Sequence, residues 1–344
     1  LFSTVLSIVQ IVLLLTTHNF ILYLGSSIVM VILQNIYISK KAEQLYPYLK
    51  EKKVQEIDKQ EYKEIKKNVS SLFIYKIGSV IMNGTDNIVI SKIIGLVMVG
   101  IYSNYLMIIN SIYNILNQIF NAITSSIGNL VVTTNEKRSK NVYENLNFFT
   151  FLLYGTVSIC IMVFINPFIK IWIGEEYVLS NWVAFLISFN LYITGMQSVT
   201  TSFRNAYGLF YKAKYRPIFM CILNIIISVI LAYYFGISGV ILVTVVWLDP
   251  YIIYEYGFKE NVKDFYKQYI IYLLLYLILG GITMLCYHYL SVSNLVVFIL
   301  YGIVTFSLLV SVICLLCYKT KEFRYFYDYM IPKINKFLKK KRVS

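Results

Sequence analysis

The sequence predicts an all-α polytopic membrane protein with about ten transmembrane helices, and three observations predict it. The first is composition. Of 344 residues, 58% are hydrophobic and 14% are charged, and mean hydropathy is +0.67. A soluble domain is about 45–50% apolar and about 25% charged, and a water-soluble fold of this length has too little interior to hide the excess. Soluble enzymes, disordered chains and collagen-like chains are excluded. The second is that the apolar residues fall into ten runs, most of them close to the roughly 20 residues that one span requires. The third is the placement of positive charge. A net charge of +14 on a soluble protein suggests nucleic acid. Here the basic residues sit on alternate loops, as the positive-inside rule requires.

The ten runs cover roughly 1–15, 20–38, 70–91, 99–132, 146–165, 182–203, 217–235, 240–254, 269–287 and 295–318. The fourth exceeds one bilayer thickness and is expected to tilt or project. Tyr37, Trp182, Tyr254, Tyr269 and Tyr318 mark span ends, as an aromatic belt does. Loops 39–69, 133–145, 204–216, 255–268 and 318–344 carry 28 of the 31 lysines and arginines. Lys92 and Lys170 lie in the opposite loops and Lys76 lies inside a span. Ten spans with both ends cytoplasmic follow, and nucleic acid is no partner.

The long hydrophilic stretch Lys40–Asn68 alternates in charge and fits a solvated amphipathic helix leading into the third span. The basic tail Lys336–Arg342 reads equally as an orientation signal or as a contact for anionic membrane lipids. The chain begins at Leu1, inside an apolar run, and is expected to be a fragment without its N-terminus. Its five cysteines lie in apolar runs; Cys314 and Cys317 have the spacing of a redox or metal pair, but no second pair joins them. His18 and His288 are isolated, so neither a metal nor any other cofactor is expected.

Polar side chains are expensive in hydrocarbon and therefore face a cavity or another helix. Three spans carry them at helical spacing. In the third, Lys76, Ser79, Asn83, Asp86 and Asn87 fall on one face at 100° per residue. In the fourth, Ser103, Asn110, Asn114, Asn117, Asn121 and Thr124 make a second stripe; in the sixth, Asn190, Thr194, Gln197, Thr201 and Arg204 make a third. Asn and Thr also bond helix to helix, and Lys76 and Arg204 also suit snorkelling at a helix end. Three coherent stripes in one bundle favour a hydrated cavity. Asp249 before Pro250 serves equally as a cap or as a functional group. The chain lacks a phosphate-binding glycine loop, HExxH and GxSxG. No loop is large enough for a catalytic domain, so the protein is not expected to be an enzyme.

Four segments in order carry a family resemblance. They are Asp86–Ser91 with Val99–Tyr105, Asn166–Leu179, Arg204–Pro217 with Asn224–Ser228, and Phe235–Thr244. The set resembles the polysaccharide-transporter flippases, which export lipid-linked O-antigen or capsule repeat units and belong to the multidrug/oligosaccharidyl-lipid/polysaccharide exporter superfamily. The resemblance implies a two-lobed fold. Residues 1–38 are then the last two helices of a truncated first lobe, 39–69 the cytoplasmic inter-lobe loop and 70–255 the second six-helix lobe. Residues 256–318 are an extra helix pair and 319–344 a basic cytoplasmic tail. The implied activity is translocation of undecaprenyl-diphosphate-linked oligosaccharide across the cell membrane for surface polysaccharide. A lipid-linked oligosaccharide and membrane lipids are the expected partners, with a polysaccharide polymerase and glycosyltransferases beside them. Amides suit sugar hydroxyls because they donate and accept. Lys76 and Arg204 suit the diphosphate, and Asp86 suits a coupling proton or cation or a first-lobe cation. The alternatives are a multidrug exporter of the same superfamily, a lipid II flippase, or an integral-membrane polysaccharide polymerase. A multidrug cavity should be acidic, and a polymerase needs a larger external loop.

Overall fold

The computed structural model describes residues 2–50, 57–209, 215–242, 249–288 and 295–328. Every regular element among them is helical. The chain divides into two compact units, Leu1–Lys63 and Glu64–Ser344.

The first unit is a helical hairpin of α1 (Phe2–Thr17) and α2 (Phe20–Leu45). The turn between them needs only two residues. His18 takes a left-handed conformation, and the Asn19 side chain caps α2 by accepting from the N–H groups of Ile21 and Leu22. Gln10 on α1 donates to Ser27 on α2 at 2.8 Å, a polar link within a mainly apolar stretch of both helices.

The second unit begins with α3 (Lys59–Ile93) and α4 (Leu96–Thr133). Gly95, at φ +129, makes the turn between them. Next comes one unbroken helix, α5 (Glu136–Trp172), capped by Asn135 and widened to a π turn at Phe151–Gly155. Residues 136–145 of the expected loop and the expected span 146–165 are thus a single helix, and only 134–135 turn the chain. The helix runs through Pro167, which removes one ladder hydrogen bond without ending it, and stops just before Gly174, which sits at φ +120. There follow α6 (Asn181–Ala206), α7 (Arg216–Phe235), α8 (Ile237–Ile241) and α9 (Asp249–Ile253), the last continuing into a π turn at Tyr254–Phe258. Two long helices, α10 (Lys263–His288) and α11 (Leu295–Cys317), and a short helix over 321–328 complete it.

Helix α6 is the axis of this unit. Sixteen of its residues are buried, and it packs on α4 and α5. At Gly195 the approach to α5 is so close that an added Cβ would lie 2.1 Å from the Tyr154 ring. An aromatic seam binds α10 to the same core: Tyr192 stacks on Tyr276 with centroids 4.2 Å apart, and Phe151 stacks on Tyr272 at 4.6 Å.

Among the described residues, seven helices are long and apolar enough to cross a membrane. The count of ten expected from sequence is not reached, for three local reasons. Helix α1 has only 16 residues. Helix α3 has 35, but its polar residues keep it out of the apolar set. The eighth run includes residues 243–248, which lie outside the described ones, as does the tail Lys336–Arg342. The fold class stands: an all-α polytopic membrane protein.

Candidate functional site

The polar residues of α4 form a continuous exposed face. Ser103, Asn110, Ser111, Asn114, Gln118, Asn121, Ser125 and Asn129 are exposed, and Asn104 and Asn117 are half-buried. At 100° per residue these ten span an arc of about 140°. Helix α4 turns its other side, with Tyr102, Tyr105, Ile109, Phe120 and Ile127, into the core. Ser103, Asn104 and Ser111 bond back to carbonyls one turn earlier on their own helix. Asn110, Asn114, Asn117, Gln118 and Asn121 make no side-chain hydrogen bond to another described residue, so their amides are presented outward. The sequence stripe found half of this face. It left out Asn104 and Ser111, and Gln118, Ser125 and Asn129, which continue it, and it included Thr124, which turns inward. The Thr124 hydroxyl donates to the Phe120 carbonyl at 2.8 Å and to Ser202 on α6 at 3.1 Å. Exposure separates Thr124 from Ser125; residue type alone does not.

The stripe on α3 divides. Lys76 is exposed, whereas Asp86 and Asn87 are half-buried; the Asn83 side chain lies outside the described ones. The division follows from α7. Gly78 lets Pro217 approach so closely that a Cβ on residue 78 would lie 2.7 Å from the proline, and from there α7 covers the later turns of α3. Asn224 on α7 lies beside Asp86, and Tyr102 on α4 lies within reach of the Asp86 charge. Four buried oxygens here find no hydrogen-bond partner among the described residues: Asp86 Oδ1, Asn87 Oδ1, Asn224 Oδ1 and Ser228 Oγ. Asn224 and Ser228 entered the sequence reading only within a family segment and not as site residues, because two polar positions inside an apolar run make no stripe.

The α6 stripe is mostly internal. Asn190, Thr194, Gln197 and Thr201 are half-buried. Thr194 donates to Asn190 at 3.2 Å, and Asn190 borders a cleft of about 130 Å³ whose walls include Trp182, Phe185 and Phe189. Arg204 is only 3% exposed. Its guanidinium lies over the Tyr75 ring, 4.5 Å from the centroid, and donates to the Tyr75 hydroxyl at 2.9 Å. Sequence placed Arg204 at a helix end, where snorkelling suits it; the aromatic neighbour, invisible in spacing, draws it inside. Lys76 follows Tyr75 in the chain, so the two cations flank one tyrosine while facing different surroundings.

Seven helices long and apolar enough to cross a membrane, among the described residues, are those of a multi-pass membrane protein, and α4 adds one exposed, uncharged polar face. The chain belongs to the polysaccharide biosynthesis protein family, whose model matches residues 2–181, just over half of its length. No curated protein and no solved structure matches it significantly.

Proposed function

We propose that the protein is a flippase of the cell membrane that moves undecaprenyl-diphosphate-linked oligosaccharide repeat units for surface polysaccharide. One observation carries this reading: ten polar, uncharged side chains cover one exposed face of an otherwise apolar 38-residue helix. Such a face is costly against lipid and well suited to sugar hydroxyls, since each amide both donates and accepts. Membership of a polysaccharide biosynthesis family supports the same substrate class.

The head group moves along α4 while the isoprenoid tail stays in the bilayer. Lys76, exposed on α3, holds the diphosphate, and Arg204 joins it when Tyr75 moves aside. Asp86, with the unpartnered oxygens of Asn87, Asn224 and Ser228 around it, takes the coupling proton or cation. No bond is made or broken, so the protein is a transporter and not an enzyme. The polymerase and glycosyltransferases that make and use the repeat unit work beside it, and both chain ends face the cytoplasm.

The test is complementation of a strain that lacks surface polysaccharide because its flippase is deleted. Restored polysaccharide is expected from the protein, and loss of it from Lys76→Ala, Arg204→Ala and Asp86→Asn. Full activity in all three variants overturns the residue assignments. Failure of the unaltered, membrane-inserted protein to restore polymer overturns the function.

A further inference from the structure

We infer that α4 restricts the cargo to saccharides without charged sugars, and that Gln118, Ser125 and Asn129 belong to the selecting wall. The inference rests on the flippase reading and deepens it. Across its 38 residues α4 contains no Asp, Glu, Lys, Arg or His. The exposed polar run from Ser103 to Asn129 is about 39 Å long at 1.5 Å per residue, more than the roughly 30 Å of hydrocarbon it must bridge. Apart from Met107 and Ala122, every exposed side chain in that arc bears a hydroxyl or a carboxamide, so a passing sugar meets no charge on α4.

That wall treats two kinds of sugar differently. A hexose or N-acetylhexosamine exchanges hydrogen bonds to water for hydrogen bonds to Asn110, Asn114, Gln118 and Asn121 and loses little. A hexuronic acid carries a carboxylate. It gives up its hydration and finds no cation on α4 in return, and an unpaired charge in low dielectric is the expensive case. The cations of neighbouring helices do not fill this gap. Arg204 is turned inward over the Tyr75 ring and Lys76 is exposed next to it in the chain; both lie near the level where α3 meets Pro217 and so serve one depth, not the length of α4. Further along α3 the next ionisable group is Asp86, which repels a carboxylate.

The experiment uses the protein reconstituted in vesicles with two synthetic probes. One is a polyprenyl-diphosphate trisaccharide of hexose and N-acetylglucosamine; the other is identical except that its terminal hexose is a hexuronic acid. Transport is read as exposure of the saccharide to an impermeant oxidant. The neutral probe is expected to cross about tenfold faster. Gln118→Lys places one cation in the wall and should narrow that ratio at least threefold, while Gln118→Leu and Asn129→Leu should slow the neutral probe. Residues 118 and 129 are exposed, and unchanged elution on gel filtration checks that the variants fold. Equal rates for the two probes overturn the selectivity and leave the flippase reading standing. Transport of neither probe above protein-free vesicles overturns both.

Discussion

Gly195 carries more of the packing than its size suggests. Its missing side chain is what lets α6 lie against the Tyr154 ring. Gly195→Ala should cost about 1–3 kcal/mol through overpacking, seen as earlier thermal unfolding in detergent. Gly128→Ala on α4, where nothing lies within 4 Å of the new Cβ, should cost nothing. Tyr105 has a different role. Its hydroxyl donates to Asn166 Oδ1 at 2.7 Å and accepts from the Leu179 N–H at 2.8 Å, while Asn166 Nδ2 donates to the Leu179 carbonyl and to Asn181 Oδ1. This clasp fixes the turn between α5 and α6. Tyr105→Phe orphans a buried N–H and should cost about 1–3 kcal/mol, again read by unfolding. Lys259 is left-handed at φ +56 and bonds Glu136 at 2.7 Å. The carboxylate beside it holds its ammonium above the ordinary lysine range. A raised folded value means that this contact is fully present below the unfolded lysine value and is lost only as pH rises past the folded one. The pair should thus be insensitive to pH from neutrality well into the alkaline range, as unfolding temperatures across that range will report.

At the scale of elements, α4 separates stability from function. Asn114 is exposed and makes no hydrogen bond to a described residue. Asn114→Ala should shift stability by less than about 0.5 kcal/mol yet reduce polysaccharide export in the complementation assay; equal export would remove Asn114 from the path. The seam of α10 behaves in the opposite way. Tyr276 is fully buried against Tyr192, and Tyr276→Ala should cost about 3–5 kcal/mol. Both helices were legible in the sequence as spans, and the amide stripe of α4 was legible as a stripe, because spacing at 100° per residue is a property of the chain alone. Which edge of the stripe turns inward was not legible. That depends on Ser202 reaching Thr124 and on the bulk of α6 beside it. The burial of Arg204 likewise depends on Tyr75, 129 residues away in the chain, and the partition of α3 depends on Gly78 admitting Pro217. Contacts between distant helices leave no trace in periodicity.

At the scale of the whole molecule, charge gives orientation. By sequence, 28 of 31 basic residues fall in alternate inter-span segments; on that orientation a single cysteine at Lys137 or Glu260 in a cysteine-free background should react only from the cytoplasmic side, and one at Glu176 only from the other side. The opposite pattern inverts the topology. The ion pairs Lys140–Glu260 and Glu136–Lys259 join the start of α5 to the segment before α10, tying two of those basic loops together. The length of α4 has a separate consequence. Its 38 residues extend about 57 Å, and even at a 40° tilt they project about 44 Å along the normal against roughly 30 Å of hydrocarbon. The polar face, about 39 Å of that length, projects about 30 Å at the same tilt and so crosses the hydrocarbon from edge to edge. A saccharide moving along it sheds its hydration one turn at a time, so dehydration becomes a shallow ramp. No single turn of α4 then forms the whole barrier, and weakening any one amide should slow the passage by a modest factor without stopping it.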